Sequence, residues 1–265
     1  DTTVDDRTSK AFTAPATNLS DQQLEQHLRG DQLFEAKFVT APAPLHGGLG
    51  PLYNNTSCKL YHTNDGRGLP QISDGAAAQA LVRVSLPTGI PSVPGGAVPV
   101  PELGTQLQNH AIFGLTPEVT VELAWVESVG AFADGAPYTL RRPLLRIARP
   151  NAAWLPSDMR TSFRIAPAVF GLGLLEAIAQ YDVLAAADPN DSDGDGISGR
   201  ANYVWSPTLQ RTELGRFGWK ANTATLDDQA GAAFANDMGV TSPFFAAGTD
   251  APELAQADIA ATSFY

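Results

Sequence analysis

At 265 residues, with 43% hydrophobic and 17% charged side chains, the chain can bury a sizeable core as one large domain or two small ones. A formal charge of -11, with no basic face to neutralise phosphates, argues against nucleic acid as a partner and disfavours an anionic membrane surface. No run of about 18 apolar residues is present to span a bilayer, and a single cysteine permits no internal disulfide.

Residues 1–18 are polar and aperiodic, which predicts an extended surface arm. The chain opens at Asp1 with neither methionine nor a leader, the expectation for a mature form whose signal peptide has been removed. Ser20 and Gln23 read as a capping box opening a helix with Leu24 and Leu28 on one face. Gly30 is expected to interrupt it, so that Asp31 starts a second short helix with Leu33, Phe34 and Phe38 inward. Prolines and glycines then make an irregular approach to Cys58, with His46 inside it either as a loop residue or as a distal metal ligand.

The stretch 50–68 concentrates the chemistry. In Cys58-Lys59-Leu60-Tyr61-His62 a thiol and an imidazole stand one turn apart. A c-type haem needs a cysteine to add to a vinyl group and a histidine close behind it to bind the iron, usually as CxxCH. Tyr61 occupies the second cysteine's place. One thioether with the Fe–His bond still holds a haem, and Tyr61 is expected to pack on the porphyrin edge rather than to bind the iron.

Val82, Val84 and Leu86 alternate with polar residues as a strand, and the proline-rich 87–101 segment cannot continue it. Alternation on both sides of an Asp134-Gly135 turn predicts a β-hairpin over 119–148. Arg142 and Arg164, within a set of arginines from 141 to 164, suit bidentate bonds to haem propionates, and equally suit a solvated strand edge. The longest apolar run, 166–187, carries Val169, Leu172, Leu175 and Ala179 at helical spacing; Gly171 and Gly173 suggest close approach of another body. Glu176 within it is a candidate acid–base group or a structural hydrogen-bond partner.

At 188–200, DPNDSDGDGISGR spaces Asp191, Asp193 and Asp195 before Gly196 as in the first half of an EF-hand loop, and Ca2+ is the expected occupant. Asn202 takes the place of the closing glutamate. GRFGWKAN at 215–222 reads as a packing cluster, followed by a helix ending near Met238, a candidate thioether ligand to iron. Asp250, Pro252 and Glu253 mark a further helix start. Neither a GxSxG elbow nor zinc-ligand spacing occurs.

Several stretches taken in order resemble one bacterial family: GPLYNNTSC with DGRG, GAFADGAPYTLRRP, RIAPAVFGLGLLEAI, DPNDSDGDGISGRAN, and GRFGWKANTATLDDQAGAAFANDMGVTSP. They are similar to the signatures of the di-haem oxidoreductases, a peroxidase-like group. The resemblance implies export to the periplasm or beyond, where c-type haem is attached. It further implies a small oxidant such as peroxide, and a second haem module or another electron donor as partner, since no second CxxCH is present. With the elements above it implies one domain over 1–265, mainly α with long loops, cytochrome-c-like, plus an inserted β-hairpin or small antiparallel sheet. The alternative is a haem-deficient, calcium-stabilised binding or structural module that keeps the family fold without turnover.

Overall fold

The capping box at Ser20 forms as anticipated, with Gln23 N donating to Ser20 Oγ at 3.3 Å and Gln23 Oε1 accepting from Ser20 N at 2.9 Å. It opens α1, which runs without a break through Asp21–Glu35. Gly30 does not divide it. A Cβ at Gly30 would overlap the carbonyl of Ala261, so the glycine lets α1 lie directly on the last helix, α5 (Gln256–Phe264). Arg29 and Asp258 clamp the same contact at 2.5 Å.

The computed structural model describes residues 4–71, 73–76, 79–150, 153–245 and 251–265. It is 22% helical and 24% strand, with several antiparallel sheets, which overturns the expectation of a mainly α, cytochrome-c-like fold. The sheet content comes from segments that carry few turn signals or were valued for other chemistry. Strand β3 (Ala80–Ser85) sits between the short β4 (Gln106–Leu107) and β8 (Arg160–Ile165), so two of the candidate arginines lie in a ladder with Arg164 opposite Leu81. A further hairpin, β9 (Tyr203–Ser206) with β10 (Arg211–Leu214), precedes the GRFGWKAN stretch.

The hairpin expected over 119–148 forms as β6 (Thr120–Ala131) and β7 (Pro137–Ala148), paired along their whole length. At its base, β2 (Gly75–Ala76) adds a third strand. Val119 and Val121 join Val82, Val84 and Leu107 in one buried cluster, each such side chain contributing about 1.5–3 kcal/mol. Further out the hairpin is two-stranded and Val129 and Leu140 are exposed. Pro137 and Pro143 fall on β7, the sheet's outer strand, where a missing N–H breaks no ladder.

The second core joins α5 to α4 (Leu226–Met238), which ends at Gly239 in the left-handed conformation. Phe38, Leu49, Phe234, Met238, Val240, Leu254 and Ile259 fill it. The apolar run 166–187 yields two short helices, α2 (Leu172–Glu176) and α3 (Gln180–Ala185), instead of one. Gly171, at φ 71°, caps α2, and a Cβ added at Gly171 or Gly173 would meet nothing within 4 Å among the described residues, so none of these makes the close approach the glycines suggested. The last helix starts at Gln256 rather than near Glu253: Asp258 reaches back to Ala255 N at 3.0 Å, while Glu253 accepts from Thr241. Asp250 lies outside the described residues.

Candidate functional site

The last turn of α4 holds the approach to Cys58. Its otherwise unpaired carbonyls accept from that loop: Met238 O from Gly50 N at 2.9 Å, and Asp237 O from Asn54 N at 2.7 Å and Asn55 N at 3.1 Å. Gly50 is required here, because a Cβ would meet Gly239 Cα at 2.6 Å. The carboxyl end of α1 supports the next residues, with Ser57 Oγ donating to Phe34 O and Glu35 O at 3.3 Å each. One helical turn follows: Cys58 O accepts from Tyr61 N and His62 N, both at 2.9 Å.

That turn aims three side chains differently. Cys58 packs against the core cluster of Phe38, Leu49 and Met238. Burial and then the charge of Asp237 push its thiol up to about 12. Tyr61 is 5% exposed, and the same two causes raise its phenol far above the ordinary range, so the hydroxyl stays neutral. His62 points to the apolar run. Its Nδ1 stands 2.7 Å from Pro167 O, and since a carbonyl only accepts, Nδ1 carries the proton. In the neutral ring Nε2 then holds the lone pair, and burial holds the ring's pKa below the usual histidine value against the opposing backbone bonds of Pro167 and Gly66.

Pro167 belongs to a strap that closes over this turn. Gly68 N donates to Ala166 O at 2.9 Å and Val169 N to Asp65 O at 3.1 Å. Along the strap Phe170, Leu174, Leu175 and Ile178, and Tyr181 just past it, are largely exposed, with Phe12 of the amino-terminal segment stacked on Phe170 at 3.9 Å. The chain exposes 16014 Å2, against about 11,000 Å2 for a compact monomer of this mass. Large apolar side chains left exposed side by side on one segment invite a cover.

Arg216 of the GRFGWKAN stretch fixes the strap's far end, donating to Leu175 O at 3.2 Å and Ile178 O at 2.7 Å. Glu176 is exposed, and its Oε1 accepts from Leu226 N at 2.9 Å, at the amino end of α4. Arg164 precedes the strap on β8. It donates to Ser162 Oγ at 2.9 Å, lies over Trp219 at 5.6 Å, and has no carboxylate partner among the described residues. Arg142 sits on the exposed hairpin opposite Val126, and no contact joins it to the His62 turn. Met238 is 2% exposed in the core. His46, at φ 51°, lies edge-on to Phe38 beside a cleft that Glu253 also lines.

Of the acidic loop, the structure brings together Asp188, Asp191 and Asp193, with one carboxylate oxygen of each within 4.8 Å of the others. Asp195 Oδ1 instead accepts from Ile197 N at 2.7 Å. Asp188 stood outside the spaced triplet, and its return beside Asp191 comes from the turn itself. Ser192 bonds hold its pKa below the ordinary value.

A buried polar network beneath Tyr61 went unread in the sequence. Gln106 Nε2 donates to Asp237 Oδ1 and Asn54 Oδ1, both at 2.7 Å, and Asn54 Nδ2 donates to Leu107 O at 2.7 Å. Arg83 contributes the opposing charge to Asp237. An arginine in the middle of the alternating strand at 80–86 was the one available signal.

A buried imidazole one turn after a cysteine and beside an exposed apolar face is a donor set that suits a haem iron. The family match agrees: the model described as "Di-haem oxidoreductase, putative peroxidase" covers residues 1–265, and the chain belongs to that family. No curated protein and no solved structure matches it. The residues present fit one haem: His62 would ligate the iron, Cys58 would supply a thioether and Arg164 would meet a propionate. Tyr61 offers no second thioether.

Proposed function

We propose that this chain is an exported redox protein carrying one c-type haem, attached through a single thioether at Cys58 and ligated by His62. The observation that carries this reading is the His62–Pro167 bond, which sets tautomer and ring direction as a metal-bound histidine requires. When bound, the haem supplies one-electron chemistry toward a small oxidant such as peroxide. The chain's own residues bind and orient it: His62 presents Nε2, the strap from Ala166 to Ile178 covers the ring with apolar side chains, and Arg164 receives a negative group. Glu176, on the same strap, is assigned the proton shuttle. An electron donor, a second haem module among the candidates, completes the exchange. The cluster of Asp188, Asp191 and Asp193 takes a Ca2+ ion that ties the strap's far side to the β9–β10 hairpin.

The test is a pyridine haemochrome spectrum of protein made with cytochrome c maturation machinery, read beside an intact denatured mass. A band between the b-type and c-type positions, with haem mass retained, is expected for one thioether. Haem-free protein would overturn the reading in favour of the calcium-stabilised binding module.

A further inference from the structure

Three rings lead from His62 into the α1–α5 interface. Phe34, on α1, lies 5.8 Å from the imidazole between centroids, and Tyr265, which follows α5, lies 5.4 Å from Phe34. His27 stands 4.9 Å beyond Tyr265. All three spacings are those of rings in contact. Phe34 and His27 are buried, so the line runs through the interior.

Tyr265, between Phe34 and His27 in this line, carries an unusual hydroxyl. The atom is buried, and the carboxylates of Asp65 and Asp31 stand beside it as hydrogen-bond acceptors. A buried phenol with acid groups ready to take its proton is the arrangement a redox-active tyrosine needs. Burial, followed by the influence of Asp65 and then Asp31, raises its ionisation far above the ordinary phenol value. Simple deprotonation is thus disfavoured. Loss of an electron is different, because an oxidised phenol is strongly acidic and a neighbouring carboxylate takes its proton. The radical left behind is neutral and the carboxylate has lost its charge, so oxidation adds no buried charge.

We propose that Tyr265 is a one-electron relay for the haem held at His62, reached through the Phe34 ring; this rests on the haem reading above. Tyr265 gives one electron along Phe34 and the His62 imidazole to haem that peroxide has oxidised. Its O–H bond breaks as the proton passes to a facing carboxylate, that of Asp65 or Asp31. A reducing donor returns one electron to the ring, and the proton returns from the same carboxylate.

The experiment freezes haem-loaded protein within milliseconds of mixing with hydrogen peroxide and records the electron paramagnetic resonance spectrum, with haem content fixed by haemochrome absorbance. A tyrosyl signal, narrowed in protein grown on ring-deuterated tyrosine, is expected in the native protein and is lost in Tyr265→Phe, which keeps the ring and removes only the oxygen. Phe34→Leu, which breaks the line of rings, is expected to weaken it. A signal that survives Tyr265→Phe unchanged, or no tyrosyl signal in haem-loaded native protein, overturns the relay and leaves the haem reading intact. Failure of Tyr265→Phe to load haem assigns Tyr265 to structure and also overturns the relay. Native protein without haem overturns both.

Discussion

His62 and Pro167 are joined by a 2.7 Å bond between Nδ1 and the proline carbonyl, across more than a hundred residues of chain. The bond fixes the direction of a ring that the haem reading makes the iron's ligand. His62→Ala should therefore cost only about 1 kcal/mol in urea unfolding, the worth of one hydrogen bond, while the haem absorption spectrum loses imidazole ligation. An unchanged Soret band in that variant would rule His62 out as the ligand.

Gly30 sets the distance between α1 and α5. Gly30→Ala pushes a methyl group into the Ala261 carbonyl, and overpacking of this kind costs about 1–3 kcal/mol even though alanine favours the helix. Chemical denaturation checks this directly: a stabilised variant would mean the helices do not touch there.

Asp237 provides a pH signature. Burial pushes its carboxyl above the ordinary range, against the opposing pull of Gln106 and Arg83. Because the folded value is raised, the stability this group contributes is full below the unfolded value of about 4 and is lost as pH rises through the folded value. Asp237→Asn should flatten that fall, by about 1.4 kcal/mol for each pH unit by which the value is raised. The two proteins are compared by unfolding across pH of about 4 to 7; parallel curves would contradict the assignment.

The acidic loop gives a metal-dependent stability. With Ca2+ at about a hundred times its dissociation constant, the gain is about 2.7 kcal/mol. Thermal unfolding with calcium and with chelator should differ accordingly, and the double change Asp191→Asn with Asp193→Asn should erase the difference. An identical response in that variant would remove the cluster as the site.

Local signals in the sequence were those with a period or a cap. Ser20 with Gln23, the alternation at 80–86 and around Asp134-Gly135, and Gly239 after Met238 each specify their own geometry within a few residues. What failed was long-range. Gly30 reads as a helix breaker until Ala261 is seen against it, and Arg160–Ile165 reads as a set of charges until Ala80–Ser85 pairs with it. In the site, the Cys58–His62 turn was legible from spacing. Pro167, Arg83 and Asp237 were not, because their partners lie far away in sequence and a proline carbonyl carries no chemical label.

The packing of Cys58 bears on how such a protein is made. Its side chain lies against Phe38, Leu49 and Met238, and the loop leading to it is bonded to the carboxyl end of α4. Once that helix has docked, no vinyl group can reach the sulfur from the core side. On the haem reading proposed above, attachment at Cys58 would come before that docking. Closure of a segment far downstream would then seal the modification, so the core itself would carry the order of assembly.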